Sequence, residues 1–487
     1  MPDEYLSIAG VNFASVMDDT AQLSVVRGAS FLLRDAVQGI AKDFSCCLEP
    51  LRTGASIGLF LVKHGCDAKT VRQDVSDWLN QHPDFQHFTF VVDIERANGD
   101  LTRTLEALTA RNRFRQMRQL SVALPAYNDG EAEPCEWDDL RPGDSDVDVD
   151  RDEGPPKVSR SVKVRHDYGW DRKQAFYADE AAANGVAHPV IAKLEYAREL
   201  DEIADKCAHF PNLGKKLAVI YLDGNGFGKI AREGGPGEFD KTLRGYQSAF
   251  LQQFLLTIHN DPDFLIDVDK RRLRIETLLW GGDEVTLVVP AWKGFWALNR
   301  FYEHSQDWKY LGTDLTHAGG LVFCHYKTPI YRIRKLAKDL AEEVKEYLKD
   351  RGEEQQQNRF EYAILESIDF PTEPLRRFWE RRYDPLAECR RPLPCVANWD
   401  QARQELGKLL KDRKGQVQSL VEAGRRDPGR GFADQRRRFA EVIRQTEFRE
   451  LETCVQRLFP GEGCEVWPWI HLLELWDYLI LEIPPES

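Results

Sequence analysis

The stretch RIETLLWGGDEVTLVVP, residues 274–290, places two glycines and two acids between two apolar runs. Two apolar runs joined by a glycine-rich break predict a β-hairpin with buried strands. The turn of this hairpin carries the adjacent carboxylates Asp283 and Glu284. A turn exposed to solvent does not need such a pair, and a buried strand avoids charge. The pair therefore indicates a functional site whose other residues lie elsewhere in the chain.

The hairpin is part of a series of elements that occurs twice. Within residues 215–371, a strand ending in YLDGN is followed by a helix, the hairpin, a second helix and a last strand. Residues 1–125 show the same order, from the strand YLSIAGVNF to the strand FQHFTFVVDIE. The order βαββαβ is that of ferredoxin-like domains, so the chain is predicted to contain a duplicated domain.

The remaining segments differ in composition from these two units. Residues 126–160 are rich in Asp and Glu, which predicts a disordered acidic linker. Residues 161–214 are predicted to form a helical connector, and residues 372–487 show only helical periodicity. The predicted fold class is α+β: two ferredoxin-like (βαββαβ) domains, a helical linking region and an all-α C-terminal domain.

The composition narrows the class of protein. A formal net charge of −14 at pH 7 argues against broad, non-specific binding of nucleic acid. No apolar run approaches the length that spans a membrane, and the acidic N-terminus does not resemble a signal peptide. The ten cysteines include no C-x-x-C motif, which predicts reduced thiols and argues against a structural zinc. We therefore expect a cytoplasmic protein without a membrane partner.

Three acids are predicted to meet at the hairpin. In a βαββαβ unit the end of the first strand lies beside the middle hairpin, which brings Asp223 next to Asp283 and Glu284. Three carboxylates repel one another unless a cation lies between them. Oxygen ligands without a nearby His or Cys favour Mg²⁺ or Mn²⁺. These acids are therefore the predicted metal ligands and catalytic residues.

The glycines around these acids predict a site for phosphate. Gly224, Gly226 and Gly228 leave backbone N–H groups unscreened by side chains, so phosphate oxygens can approach them. Lys229 and Lys327 could bind a triphosphate, although both could equally be ordinary surface lysines. Two metals here could activate a ribose hydroxyl and neutralise a pyrophosphate leaving group, which is nucleotidyl transfer. The predicted nucleotide-binding residues of this half are Gly224, Asn225, Gly226, Phe227, Gly228, Lys229, Gly281, Gly282 and Lys327.

These motifs together resemble a known group of proteins. GGDE on a hairpin, preceded by LDGNGFG on the first strand, resembles the palm shared by GGDEF-type cyclases and the polymerase-like large subunit of type III CRISPR effector complexes. YLDGNGFGKI is similar to the second family's D-G-D-x-x-G-K strand end, and GGDE is similar to its G-G-D-D. In the first unit, LSVVRGASFLLRDA at residues 23–36 resembles the R-G-x-S-x-L-L helix of that family's first palm. The resemblance covers most of the chain.

The resemblance implies a function. It implies that Asp223, Asp283 and Glu284 bind the catalytic metals of the second palm. It further implies synthesis of cyclic oligonucleotides, cyclic oligoadenylate above all, from ATP as a second messenger in antiviral defence. The implied partners are other CRISPR effector subunits and guide and target RNA.

The resemblance also implies a role for the first palm. Val11, Asn12 and Phe13 stand where a metal-binding acid would be expected, so this palm resembles a degenerate half that shapes the acceptor site. Gly28 and Ser30 are then implied to contact the acceptor nucleotide.

The sequence departs from the family pattern in several places. Asn225 stands where a second Asp is common, and Glu284 replaces the last Asp. An N-terminal HD nuclease domain is not expected. Two other functions remain open: a non-catalytic nucleotide-binding scaffold subunit of a CRISPR ribonucleoprotein, and a GGDEF-like dinucleotide cyclase that uses GTP as a dimer. The internal duplication argues against the second of these.

Overall fold

The chain forms a mixed α/β structure with several sheets and a helical C-terminal region. The positions Asn12 and Phe13 of the predicted degenerate strand end lie outside the described residues. The structure is a computed structural model that describes residues 3–11, 16–17, 19–54, 56–97, 99–119, 133–148, 154–183, 185–207, 209–267, 271–352, 357–366, 370–396, 399–410, 413–461 and 463–479.

The first domain is built on a four-stranded antiparallel sheet with the order β2-β3-β1-β4. Two of its helices begin at aspartate caps, because Asp67 accepts a hydrogen bond from the backbone N–H of Thr70 and Asp100 accepts one from that of Arg103. The elements are β1 (Glu4–Gly10), α1 (Leu23–Asp43), β2 (Leu48–Gly54), β3 (Ile57–Val62), α2 (Ala68–Gln81), β4 (Phe90–Arg96) and α3 (Leu101–Arg118).

Several short elements connect the two domains. Among the described residues of the region predicted as a helical connector, the long helix is α4, with 22 residues. The elements of this region are β5 (Ser145–Asp146), β6 (Lys157–Val158), α4 (Arg160–Ala181), β7 (Glu195–Tyr196) and α5 (Leu200–Ala204).

The second domain is built on a six-stranded sheet with the order β11-β12-β8-β15-β16-β17. The central strand β8 is buried along nearly its whole length and is antiparallel to β12 and β15. β16, which the sequence analysis did not predict, is parallel to β15 and is reached through helix α9. The elements are β8 (Lys216–Gly224), α6 (Phe227–Gly234), α7 (Pro236–Ile258), β9 (Leu265–Asp267), β10 (Arg272–Leu273), β11 (Glu276–Gly281), β12 (Glu284–Pro290), α8 (Gly294–Ser305), β13 (Lys309–Tyr310), β14 (Thr313–Asp314), β15 (His317–His325), α9 (Ile330–Asp350) and β16 (Arg359–Ile364).

In the C-terminal region, the described residues form helices and one short strand. Strand β17 pairs with the edge of β16, so the prediction of an all-α region after residue 371 is wrong at this point. The elements are α10 (Leu375–Tyr383), β17 (Leu393–Pro394), α11 (Trp399–Leu410), α12 (Lys414–Arg426), α13 (Arg430–Ile443), α14 (Gln445–Leu458), α15 (Trp467–Glu474) and α16 (Trp476–Leu479).

The described part of the acidic segment 126–160 is folded, so the predicted disordered linker is wrong there. Cys135 is fully buried with Val147 and Val158 in a small apolar cluster, and β5 pairs with β6. Asp138 is buried and accepts hydrogen bonds from the backbone N–H groups of Leu140 and Arg141. The acidic segment therefore contains a buried carboxylate that stabilises a turn by accepting backbone hydrogen bonds.

Helices α1 and α4 cross in close contact because both carry a glycine at the crossing. A Cβ atom on Gly28 would lie 1.7 Å from the backbone oxygen of Arg165, and one on Gly169 would lie 2.1 Å from that of Ser24. Any larger residue at either position would push the helices apart. The glycine of the R-G-x-S motif thus fixes the connector helix against the first domain.

A buried charge cluster joins both domains and the connector. Glu276 on β11 lies 2.8 Å from Arg27 of α1 and 2.5 Å from Lys173 of α4, and its side chain is 1% exposed. Burial, and then the nearby Arg27, lower the pKa of Lys173 to about 8. Burial alone would raise the pKa of Glu276, but the two cations hold it below its ordinary value. One carboxylate therefore compensates two buried cations.

The prediction that the cysteines are reduced is wrong for one pair. Cys47 and Cys66 are joined, with 5.7 Å between their Cα atoms, whereas the other eight described cysteines are free. Among the helices that the structure describes, none is long and apolar enough to cross a membrane.

Candidate active site

The structure brings the three predicted carboxylates to one end of the second sheet. Asp223 on β8 is paired directly with Glu284, the first residue of β12. Glu284 also pairs with Gly281, which leaves Gly282 and Asp283 as the two-residue turn between β11 and β12. The backbone oxygen of Asp283 accepts a hydrogen bond of 3.1 Å from the backbone N–H of Gly224. The turn is therefore held against the end of β8.

Two lysines of helix α9 lie against this acidic cluster, and the sequence analysis missed both. The ammonium of Lys345 is 2.6 Å from the carboxylate of Asp223, and that of Lys338 is 3.3 Å from Glu284. Burial raises the pKa of Asp223 to about 6, and Asp283 and Glu284 add to the rise although Lys345 opposes it. The lysines are seven residues apart, which places them two turns apart on one helix face. That spacing was the signal available in the sequence.

The donor set of the cluster fits a hard divalent cation. Asp223, Asp283 and Glu284 offer carboxylate oxygens, which are the ligands that Mg²⁺ and Mn²⁺ prefer. The Tyr221 hydroxyl donates a hydrogen bond to Glu284 and orients that carboxylate. Burial and the negative charges of Glu284 and Asp223 raise the pKa of Tyr221 well above its ordinary value. A cation bound here would share or replace the positive charge that Lys338 and Lys345 now provide.

The glycine-rich loop after β8 divides into exposed and buried positions. Gly226, with φ of 68°, precedes helix α6, and Gly226, Gly228 and Lys229 are exposed where a ligand could reach them. The Asn225 side chain is 3% exposed and donates a hydrogen bond of 3.0 Å to the hydroxyl of Thr316. Its side chain therefore points into the protein, contrary to its predicted role.

Phe227 and Gly224 also contribute to packing in the core. Phe227 is 2% exposed, and its ring packs edge-to-face against Phe239 and His317. A Cβ atom on Gly224 would lie 2.3 Å from the Phe227 ring, so glycine at this position makes room for that ring. The Phe227 ring is enclosed, so the predicted nucleotide contact of this residue stays a prediction for its backbone N–H group alone.

Lys327 lies at the wrong end of the sheet for its predicted role. Strand β15 is antiparallel to β8, so His317 pairs with Gly224 near the acids and His325 pairs with Lys216 at the far end. Eight residues of extended strand separate the two ends by about 26 Å. Lys327, two residues beyond His325, is therefore remote from Asp223.

Gly28 and Ser30 do not face a ligand either. Gly28 lies in the crossing with α4, as described above, and Ser30 is 5% exposed within α1. The close contact with α4 at Gly28 and the burial of Ser30 leave neither residue exposed for the predicted contact with an acceptor nucleotide.

The hairpin tip of the first domain faces the hairpin that carries the acids. A Cβ atom on Gly54 would lie 3.7 Å from the Cα atom of Gly282. The backbone N–H of Thr53 donates a hydrogen bond of 3.2 Å to Asp240 of α7. Arg52 lines a small cavity together with Asp283 and other residues of the second domain. The first domain therefore contributes a cation beside the predicted metal ligands.

The sequence of this chain matches no family model and no curated protein. Its structure is similar to several crystal structures of Csm1, the large subunit of type III CRISPR Csm complexes. Csm1 of T. onnurineus matches with a TM-score of 0.50 and 14% sequence identity, over 99% of this chain and 70% of that chain.

Two structures of a Csm1-Csm4 cassette match in the same way. The cassette in complex with one ATP has a TM-score of 0.51 and 14% identity, over 98% of this chain and 70% of that chain. The cassette in complex with pppApApA has a TM-score of 0.51 and 14% identity, over 97% of this chain and 69% of that chain. The chain therefore has the fold of Csm1, and the resemblance predicted from its motifs is confirmed at the level of the fold.

Proposed function

We propose that this chain is a member of the polymerase-like large-subunit family of type III CRISPR effectors and that its two sheet domains are ferredoxin-like palms. The four strands β1–β4 of the first domain and the strands β8, β11, β12 and β15 of the second both follow the order 2-3-1-4, and neighbouring strands are antiparallel. This order supports the palm assignment. The similarity to Csm1 over nearly the whole chain supports the family assignment.

The proposed reaction is nucleotidyl transfer between ATP molecules, which releases pyrophosphate and forms cyclic oligoadenylate as a second messenger in antiviral defence. The observation that carries this proposal is the direct pairing of Asp223 with Glu284, with Asp283 in the adjoining turn. Mg²⁺ or Mn²⁺ bound by these acids would activate the attacking ribose hydroxyl and neutralise the leaving pyrophosphate. The Csm1-Csm4 cassettes with ATP and pppApApA favour an adenine nucleotide as the substrate.

The chain's own residues have distinct roles in this proposal. Asp223, Asp283 and Glu284 hold the metal, and Lys345 and Lys338 supply positive charge at its border. An ammonium freed from its carboxylate by an incoming cation lies within reach of a triphosphate, which it binds as a point charge. The protein therefore acts by positioning the nucleotides and compensating charge, more than by forming a covalent bond to the substrate.

The test is an assay of the purified chain with ATP and Mg²⁺ or Mn²⁺, alone and with candidate partner subunits and guide and target RNA. We expect pyrophosphate and cyclic oligoadenylate, identified by mass spectrometry, that depend on the divalent ion. A parallel reaction with GTP separates the two families of cyclase, because a cyclic dinucleotide from GTP would favour a GGDEF-like enzyme. The partners are included because two of the similar Csm1 structures are Csm1-Csm4 cassettes.

A second function is favoured by the two lysine–carboxylate pairs. Since Lys345 and Lys338 already neutralise Asp223 and Glu284 in part, the site could bind a nucleotide without turning it over. The chain would then be a scaffold subunit of a CRISPR ribonucleoprotein. Binding of ATP that depends on Mg²⁺, with no pyrophosphate release even when partner subunits and target RNA are present, would favour this function over catalysis.

Lys345 gives a prediction that separates its two roles. Replacing it by methionine removes a cation that competes with the metal for Asp223 and that could also bind the triphosphate. We expect the Mg²⁺ concentration for half-maximal activity to fall, while kcat falls by about 100-fold because one stabilising charge is lost. The measurement is pyrophosphate release as a function of Mg²⁺ concentration.

The matched control is Lys349→Met, on the same helix one turn further along at an exposed position. This variant is expected to retain the wild-type rate and Mg²⁺ dependence. An unchanged Mg²⁺ dependence in Lys345→Met would contradict the assigned role of Lys345.

A further inference from the structure

A second cluster of metal-ligating side chains lies away from the acidic cluster. Cys207 and His209 lie on the segment that leads from α5 into β8, and Asp263 lies in a short 3-10 turn, Pro262–Phe264, that follows α7. Their ligand atoms all lie within 4.8 Å of one another. The Oδ1 atom of Asp263 is 3.5 Å from the Cys207 sulfur and 2.9 Å from Nδ1 of His209.

This cluster is separate from the proposed catalytic site. Cys207 and His209 precede Lys216, the first residue of β8, whereas Asp223 lies seven residues further along the same strand. Seven residues of extended strand span about 23 Å. A metal bound at the cluster would therefore be remote from the ions held by Asp223, and its role would be structural.

The thiol of Cys207 points at the other two side chains of the cluster. The residue is 9% exposed, and its S–H group donates a hydrogen bond of 3.5 Å to Oδ1 of Asp263. A metal bound between these atoms would take the place of the thiol proton, since the thiolate is the form that binds metals.

The carboxylate of Asp263 is fixed from several sides. Its second oxygen, Oδ2, lies 3.1 Å from the ammonium of Lys293, which leaves Oδ1 directed at Cys207 and His209. The indole N–H of Trp292 donates a hydrogen bond of 3.1 Å to the backbone oxygen of Asp263. Such outer partners orient metal ligands in proteins. The ligand geometry is therefore set by the fold and does not depend on an ion.

We propose that Cys207, His209 and Asp263 form a binding site for Zn²⁺. Zn²⁺ takes a mixed set of sulfur, nitrogen and oxygen ligands with tetrahedral geometry, whereas a thiolate disfavours Mg²⁺ and Ca²⁺. Water would be the fourth ligand, as in zinc sites with three protein ligands. His209 is 55% exposed, so an ion can reach the site from solvent.

The bound ion would tie two segments of the second domain together. One segment is the chain that enters the central strand β8, and the other is the turn between α7 and β9. A metal that binds the folded state and not the unfolded chain raises the stability of the fold. The absence of a C-x-x-C motif hid this site in the sequence, because its third ligand is 54 residues away from His209.

The test uses the full chain, stripped of metal with a chelator and then dialysed against Zn²⁺. We expect the protein to retain one Zn²⁺ per chain by elemental analysis, and we expect a thiolate-to-metal charge-transfer band when Co²⁺ replaces Zn²⁺. Cys207→Ser should abolish that band. Asp263→Asn should weaken Zn²⁺ binding by at least roughly 10-fold, because changing even a residue that only orients a metal ligand has an effect of that size. His209→Ala should also weaken Zn²⁺ binding, and it should not disturb the core because the residue is exposed.

The control is Cys46→Ser, which replaces an exposed free cysteine and should keep the Zn²⁺ content and the cobalt band. Equal Zn²⁺ retention by wild type, Cys207→Ser and His209→Ala would overturn the site, as would a cobalt form of the wild type that lacks the charge-transfer band. Since metal content is the readout, the result does not depend on nucleotidyl transfer.

Discussion

Replacing Asp283 by Asn together with Glu284 by Gln is expected to reduce pyrophosphate release from ATP by at least about 100-fold. The two changes keep the shape of the side chains and remove two of the three negative charges that would hold the metal. Asp223 alone, paired with Lys345 at 2.6 Å, cannot compensate a divalent ion in the same way. The measurement is the rate of pyrophosphate release at saturating Mg²⁺, with the partner subunits and RNA that support wild-type activity.

The loss should occur without unfolding, because the changes relieve repulsion among acids at the sheet end. The melting temperature of the double variant should therefore equal or exceed that of the wild type. Lys327→Ala is the control, since Lys327 lies at the opposite end of β15 and should leave the rate unchanged. A double variant that turns over ATP as fast as the wild type would remove the basis of the proposed function.

The largest effect on stability is expected at Glu276. Replacing it by alanine leaves Arg27 and Lys173 buried without an anion, and the expected loss in the free energy of unfolding is about 3–5 kcal/mol. The change also removes the contact that joins α1, α4 and β11. Urea denaturation followed by circular dichroism measures the difference.

Two comparisons separate the charge effect from other causes. Glu366→Ala breaks an exposed pair with Lys216, and it should cost less than about 1 kcal/mol. Combining Glu276→Leu with Arg27→Met and Lys173→Met removes all three charges, and it should recover most of the stability that Glu276→Ala loses. If the triple variant is no more stable than Glu276→Ala, uncompensated charge is not the cause of the loss.

The sequence was sufficient to predict the meeting of Asp223 with Asp283 and Glu284. That prediction needed only the order of strands and the position of a turn, both of which leave local patterns in the chain. Lys338 and Lys345 could not be placed in the same way. Their contact with the acids depends on the path of α9 across the sheet, which is set by tertiary packing rather than by the helix itself.

The assignments that the structure does not support share a physical cause, because each linked a residue to a ligand without knowing which way that residue faces in the fold. Gly28 matches a family motif, yet its missing Cβ serves the contact with α4. Asn225 and Phe227 lie within the predicted phosphate loop, yet both side chains are buried. Lys327 was assigned by its nearness to a strand end, and the antiparallel direction of β15 places that end far from the acids.

The pairing of β17 with β16 ties the helical C-terminal region to the sheet that carries the acids. An uncovered strand edge offers N–H and C=O groups to any other strand that approaches it. Shortening the chain at residue 371 would uncover part of β16, whose side chains are mostly buried, and would favour self-association through that edge. The pairing with β17 thus keeps other strands away from this edge, and we expect a form shortened at residue 371 to self-associate.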